Sequence, residues 1–185
     1  MLIVGLGNIG AEYSNTYHNV GFMAVDYLLD MLNKTAKDKG QKSQYLKTFV
    51  GGKKVVIAKP QTYMNLSGHA VKELLAYHGI KKSECIVVFD DMDISAGEIR
   101  IRLAGSGGTH NGIRNICEMV GLDVPRIRIG IGKPPEGWAV ADYVLSNIRE
   151  HNQQAVEKGI QKAAEALHEY VNGASIERIM CRYSK

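Results

Sequence analysis

GLGNIG, residues 5–10, stands directly behind the apolar run LIV at 2–4. Glycines spaced G-x-G-x-x-G after a strand are the mark of a dinucleotide-binding turn, provided the surroundings agree. Leu2–Leu6 reads as a buried strand, being too uniformly apolar for one with a solvated face. A nucleotide fold then needs a helix that starts inside the glycine motif, so that its first amides meet the pyrophosphate. It also needs an acid about 20 residues further on, at the end of a second strand, to hold the ribose. Neither is present. NIGAEYSNTY at 8–17 lacks helical periodicity, and the spacing predicts a helix only from Asn19, a residue type suited to an N-cap. That helix carries Phe22, Met23, Val25, Leu28, Leu29 and Leu32 to about Asn33, and the acids in range, Asp26 and Asp30, lie within it. Nucleotide binding is therefore set aside. What remains is Asn8 just past a strand's carboxyl end, where open α/β sheets bind ligands, with Gly5 and Gly7 serving either that turn or close packing.

Working outward, Lys34–Lys47 is polar and lysine-rich and reads as a surface loop. Thr48–Gly51 and Lys53–Ala58 flank a Gly51-Gly52 hairpin turn. A helix with Ala70, Val71, Leu74, Leu75 and His78 on one face closes at Gly79. Strands follow at Glu84–Asp90, at Ile99–Leu103 and at Arg126–Gly132, the last two alternating apolar and basic residues. Between them GSGGTHNG, 105–112, leads into a helix with Ile113, Ile116, Cys117 and Val120 aligned and Gly121 as its stop. The tail holds an amphipathic helix over about 153–170 and a shorter one near 176–180. Strands and helices interleave without repeats or a linker, which predicts one α/β domain over residues 1–185, a twisted mixed sheet flanked by helices.

Composition sets the outer limits. No stretch approaches the roughly 18 apolar residues of a membrane span, and no basic segment precedes the first strand as in a secretory leader. Cys85, Cys117 and Cys181 are scattered, which points to reduced thiols and a cytoplasmic setting. The net charge of +4 is mild, but its distribution is informative. Between Ile99 and Lys133, Arg100, Arg102, Arg114, Arg126, Arg128 and Lys133 face only Glu118 and Asp123, a basic stretch suited either to phosphates or simply to solvent. The histidines His69, His78, His110, His151 and His168 form no ligand spacing, so no metal or cofactor is expected.

Polar groups gather at predicted strand ends: Asn8 and His18 in 5–21, Asn65 in 61–68, Asp90 in 89–93 and Asn111 in 105–112. Each alone has an ordinary explanation as a cap, a strand end or a surface residue. Together, in order, they resemble the bacterial peptidyl-tRNA hydrolases. The blocks that carry the resemblance are GLGN-x-G-x-x-Y (5–13), T-x-H-N-x-G (16–21), MNLSG (64–68), DDMD (90–93), HNGI (110–113) and RIRIGIG (126–132). The sequence departs from the family pattern at Ile9, where proline is usual, at Tyr17, where arginine is usual, and at Thr109, where glycine is usual. Tyr17 would remove a positive charge near the histidine, and Thr109 would tighten a turn that glycine enters freely.

The resemblance implies cleavage of the ester between a peptide and the 3′-terminal ribose of tRNA by a monomer needing no metal or cofactor. It makes His18 the general base and Asp90 the acid that orients it, and it assigns Asn8 to telling N-blocked peptidyl-tRNA from free aminoacyl-tRNA. Asn65 and Asn111 would bind near the scissile end, and Arg102 and Arg128 would contact the 5′-phosphate. The chemistry is consistent. An imidazole titrates near neutrality, and side-chain amides orient a neutral ester without titrating. Tyr13 and Tyr63 are candidates for stacking on the terminal base, and Met64 and Met92 for lining an adaptable groove. At His18 a carboxylate raises the pKa while a following helix N-terminus lowers it, and the sequence leaves the sign open. The rival is a non-catalytic RNA-binding relative of the same fold, which would have no need to retain both a base and its orienting acid.

Overall fold

The structure, a computed structural model, describes residues 1–184. In chain order its elements are β1 (Leu2–Gly5), α1 (Val20–Met31), β2 (Asp38–Gly40), β3 (Ser43–Val50), β4 (Lys53–Pro60), α2 (Ser67–His78), β5 (Cys85–Asp91) and β6 (Ile99–Arg102). There follow α3 (Asn111–Val120), β7 (Arg126–Gly130), α4 (Val140–Leu145), α5 (Glu150–Val171) and α6 (Ile176–Tyr183). The strands form one sheet in the order β2-β3-β4-β1-β5-β7-β6. Its centre is parallel, β4 and β5 flanking β1 and β7 flanking β5, and its margins are antiparallel, so the expected mixed α/β sheet is present.

Alternation along the strands divides the core into two layers. Ile3, Ile57, Ile86, Val88, Ile127 and Ile129 face α1, α5 and α6, where Val25, Leu28, Ile160 and Leu167 are fully buried. Leu2, Val4, Val56, Val87 and Phe89 face α2 and α3 through Val71, Leu74, Ile113 and Ile116. Each such aliphatic side chain contributes about 1.5–3 kcal/mol on burial.

The opening glycines serve packing. A Cβ at Gly5 would lie 2.2 Å from the Gly21 carbonyl oxygen, and one at Gly7 would lie 2.6 Å from the Phe22 ring. Two bare backbones let β1 and the start of α1 meet, and the Phe22 N–H donates to Leu6 O at 3.1 Å.

One expectation fails, and one element carries no sequence signal. The segment read as a loop from Lys34 to Lys47 holds β2 and most of β3, paired Asp38↔Tyr45 and Gly40↔Ser43. Its turn residues Gln41 and Lys42 take φ of 47° and 53°, the geometry a hairpin normally gives to Asn or Gly, so the usual cue was missing. The element without a signal is α4, too short to show periodicity; it follows the Pro134-Pro135 pair and forms one wall of the site.

Candidate active site

The connection leaving β1 passes into α1 on one face of the sheet, and the one leaving its parallel neighbour β4 passes into α2 on the other. Neighbouring parallel strands whose chains depart to opposite sides leave a crevice at their carboxyl ends. The conspicuous polar residues collect there, around a cleft of about 850 Å³.

Asn8 lies buried on the turn after β1. Its backbone N–H donates to Asn19 Oδ1 at 2.8 Å, and Asn19 Nδ2 donates back to Asn8 O at 3.0 Å. Its side-chain oxygen accepts from the Met64 N–H at 3.0 Å. With that oxygen occupied, Asn8 presents only its amide N–H group to a ligand. Asn19 sits at the helix N-cap position, as its residue type suggested, but its side chain caps nothing there and clamps Asn8 instead.

His18 belongs to a 3-10 turn, Tyr17–Asn19, ahead of α1. Its Nδ1 lies 2.9 Å from Asp90 Oδ1 at the end of β5, and the same oxygen lies 3.1 Å from His110 Nε2. The second ring comes from the opposite layer. His110 caps α3, its Nδ1 accepting from the Ile113 N–H at 3.2 Å, so a neutral His110 carries its proton on Nε2 and donates it to Asp90. Burial pushes the Asp90 carboxyl up, but the two imidazoles outweigh it and hold the group far below the usual carboxylate range. Burial pulls His18 down, and the charge and hydrogen bond of Asp90 overcome it, so the His18 pKa is raised. That settles the sign the sequence left open. An ionised Asp90 accepts the hydrogen bond of His18 Nδ1–H, leaving Nε2 as the basic nitrogen.

The ligand atoms of His18, Asp90 and His110 lie within 4.8 Å of one another, close enough to suggest a metal site. The donor set does not fit one. A metal on His110 Nε2 would move the proton to Nδ1, against the Ile113 N–H that this atom accepts. His110 was not among the expected site residues. The pattern that could have marked it is the His-Asn pair at 18–19 and again at 110–111, each time at the entrance to a helix.

The cleft is lined by Asn8, His18, Tyr63, Asn65, Asp90, Arg102, Asn111 and Arg128, and also by Met64 and Met92. Tyr13, in a 3-10 turn at Ala11–Tyr13, is not part of the lining. Tyr63 and Asn65 are exposed on the turn before α2, and Asn111 Oδ1 accepts from Arg114 Nη2 at 2.6 Å. The arginines of β6 and β7 project from one face of the sheet but differ in role. Arg126, expected to add diffuse attraction, is buried and donates to the carbonyls of Val124, Ser106 and Leu122, each at 3.1 Å. Arg128 Nε donates to Asp91 Oδ2 at 2.5 Å, while Arg102 and Arg100 are exposed.

The departures fall where they do little harm to this arrangement. Thr109 keeps an ordinary φ because Gly108 takes the left-handed position at 53°. Tyr17 does not face the cleft but is fully buried, its ring 4.6 Å from that of Tyr143. The opposite wall is α4, which contributes Val140, Ala141, Val144 and Leu145.

The fold and sequence have close counterparts. A family model described as peptidyl-tRNA hydrolase matches residues 2–185. The peptidyl-tRNA hydrolase of Lachnoclostridium phytofermentans is 44% identical over 166 residues, covering 89% of this chain and 87% of that protein. That of Elusimicrobium minutum is 43% identical over 185 residues, covering 100% and 98%. The crystal structure of the peptidyl-tRNA hydrolase from Acinetobacter baumannii superimposes with a TM-score of 0.92 at 32% identity, covering 99% of this chain and 93% of that one.

Proposed function

Given that this chain belongs to the peptidyl-tRNA hydrolase family and is an enzyme of that class, we propose that it hydrolyses N-blocked peptidyl-tRNA in the cleft at the ends of β1 and β5, with His18 as general base. The observation that carries this reading is the 2.9 Å contact between His18 Nδ1 and a buried, ionised Asp90. Nε2 takes a proton from water, and the hydroxide adds to the ester carbonyl. The tetrahedral adduct then collapses, and the proton passes from the imidazolium to the departing ribose oxygen. Asp90 stabilises the imidazolium between those steps.

Asn8, with only its N–H group free, donates to a carbonyl of the peptide. A free α-ammonium offers no acceptor there, so aminoacyl-tRNA loses that bond. Asn65 and Asn111 place the scissile end and meet the developing oxyanion with neutral donors. Arg102 and Arg128 hold the 5′-phosphate, Tyr63 offers its face to the terminal base, and Tyr13 adds an aromatic contact outside the cleft. The enzyme acts as a monomer in the cytoplasm and without a metal. The His110 tautomer supports the absence of a metal, and the free thiols support a reducing compartment. No helix among the described residues is long and apolar enough to cross a membrane.

The test is hydrolysis of N-acetylaminoacyl-tRNA beside its unblocked counterpart, by the wild type and by His18→Ala. The blocked substrate should be cleaved preferentially, and His18→Ala should lose most turnover. Near-normal turnover by that variant would remove the base, and binding without hydrolysis by the wild type would favour the RNA-binding relative.

A further inference from the structure

The turn that carries His18 is joined to the cleft wall over several residues. Thr16 pairs antiparallel with Asn147, the Tyr17 N–H donates to Ser146 O at 3.3 Å, and the Ile148 N–H donates to Asn15 O at 2.9 Å. The Tyr17 side chain completes the join. Its hydroxyl oxygen accepts from the Arg149 N–H at 3.2 Å and from Asn152 Nδ2 at 3.1 Å, both at the start of α5. Its ring packs on Tyr143 of α4, whose own hydroxyl donates to Ile131 O at 2.7 Å beyond the end of β7. The Arg149 guanidinium in turn covers Trp138, 5.0 Å from the ring centroid, just before α4. The apolar wall α4 is thus tied at both ends to a region whose closest link to His18 is Tyr17.

The imidazole itself bonds only to Asp90 among protein groups of the described residues. Its ring orientation is set by β5, whereas the backbone that delivers it is held on one side by the Asn19–Asn8 clamp and on the other by the α4–α5 wall. We propose that Tyr17 is a positioning residue for the general base, coupling the apolar α4 wall of the cleft to the placement of His18. The inference rests on His18 being that base. Tyrosine does here what a charged side chain could do only with a partner for its charge: it fills a site with no exposure and satisfies two donors with one neutral oxygen. A misplacement of the base by about 1 Å can cost on the order of 100-fold in rate. Loosening one anchor while the others remain should cost part of that.

Tyr17→Phe keeps the ring and its burial and removes only the acceptor oxygen, while Asn152→Ala removes one donor. Their kcat, KM and pH profiles on N-acetylaminoacyl-tRNA, together with Tm, test the coupling. Tyr17→Phe is expected to lower kcat about 5- to 20-fold, as a fraction of that placement cost, with KM little changed. The acid limb of the profile should move to lower pH as His18 and Asp90 separate. The double variant should be no slower than Tyr17→Phe alone, since both changes cut one link. A Tyr17→Phe protein with lower Tm but wild-type kcat and pH profile would reduce Tyr17 to a packing residue. If His18→Ala is inactive while Tyr17→Phe is normal, the coupling fails and the base stands; if His18→Ala is active, the base assignment fails first.

Discussion

Asp90→Asn probes the centre of the site with the smallest possible change. In a hydrolase triad the equivalent substitution costs about 10⁴-fold, because the amide turns an N–H toward the histidine and forces the wrong tautomer. The geometry here opposes that outcome. Two N–H groups, His18 Nδ1 and His110 Nε2, converge on Asp90 Oδ1 at 2.9 and 3.1 Å. Turning the amide nitrogen toward them would set three donors against one another, so the introduced amide should keep its oxygen in that place and His18 should keep its tautomer. What is lost is the charge. Replacing an ionised acceptor by a neutral one roughly halves the worth of the hydrogen bond, a loss of about 1–1.5 kcal/mol and hence a 5- to 10-fold fall in kcat/KM. The pH profile fixes the sign. Asp90 is what holds the His18 pKa up against burial, so without its charge burial prevails and the pKa drops. Only neutral His18 is active, so the acid limb must move to lower pH. The assay is kcat/KM on N-acetylaminoacyl-tRNA from about pH 5 to 9, the range that brackets an ordinary histidine. A limb that stays put or moves upward would refute the electrostatic argument, and a loss near 10⁴ would show that His110 does not hold the tautomer.

Asn8→Asp keeps the oxygen that accepts from Met64 N–H and removes the free donor. The preference for N-acetylaminoacyl-tRNA over aminoacyl-tRNA should fall about 10-fold or more, as loss of a buried polar contact does. An unchanged ratio of kcat/KM values would sink the role. Asp91→Asn releases Arg128 from its ion pair. KM for a tRNA substrate should fall, and its salt dependence should steepen by about one phosphate's worth of counterion release; identical salt slopes would show that Arg128 does not meet phosphate. Arg126→Met strips the carbonyls of Val124 and Ser106 of their donor and leaves that of Leu122 only the Gly105 N–H. It should destabilise by about 2–4 kcal/mol and lower Tm on the order of 10 °C, and a Tm within a degree or two of wild type would place those carbonyls in water.

What could be read from the chain depended on the range of the interaction. β1, α2, β5 and α3 carry their own signals in apolar spacing and glycine stops, and they stand within a residue or two of expectation. The Lys34–Lys47 segment did not, because the partner that makes Tyr45 a buried strand residue is Ala58 on β4, and no local pattern encodes it. The same holds in the site. His18, Asp90 and Asn8 stood out as chemistry-bearing residues at strand ends. The capping geometry that turns His110 Nε2 toward Asp90 comes from α3 packing on the other face of the sheet. Arg126 and Arg128 look alike in RIRIGIG, yet one is spent on backbone carbonyls and the other faces an acid. Alternation places both on one side of the strand, and only the neighbouring loops separate them.

One anion serving two rings also dictates where negative charge resides as the ester is cut. With both rings neutral, the trio carries a single minus, on Asp90. In the proposed reaction, when His18 accepts a proton from water the trio becomes neutral and the minus reappears on the carbonyl oxygen of the adduct. The total within the crevice never changes; one electronic charge simply migrates from protein to substrate across a short gap, toward the uncharged amides of Asn8, Asn65 and Asn111. No counterion has to enter or leave during bond cleavage, so the phosphate grip proposed for Arg102 and Arg128 would be independent of the scission itself.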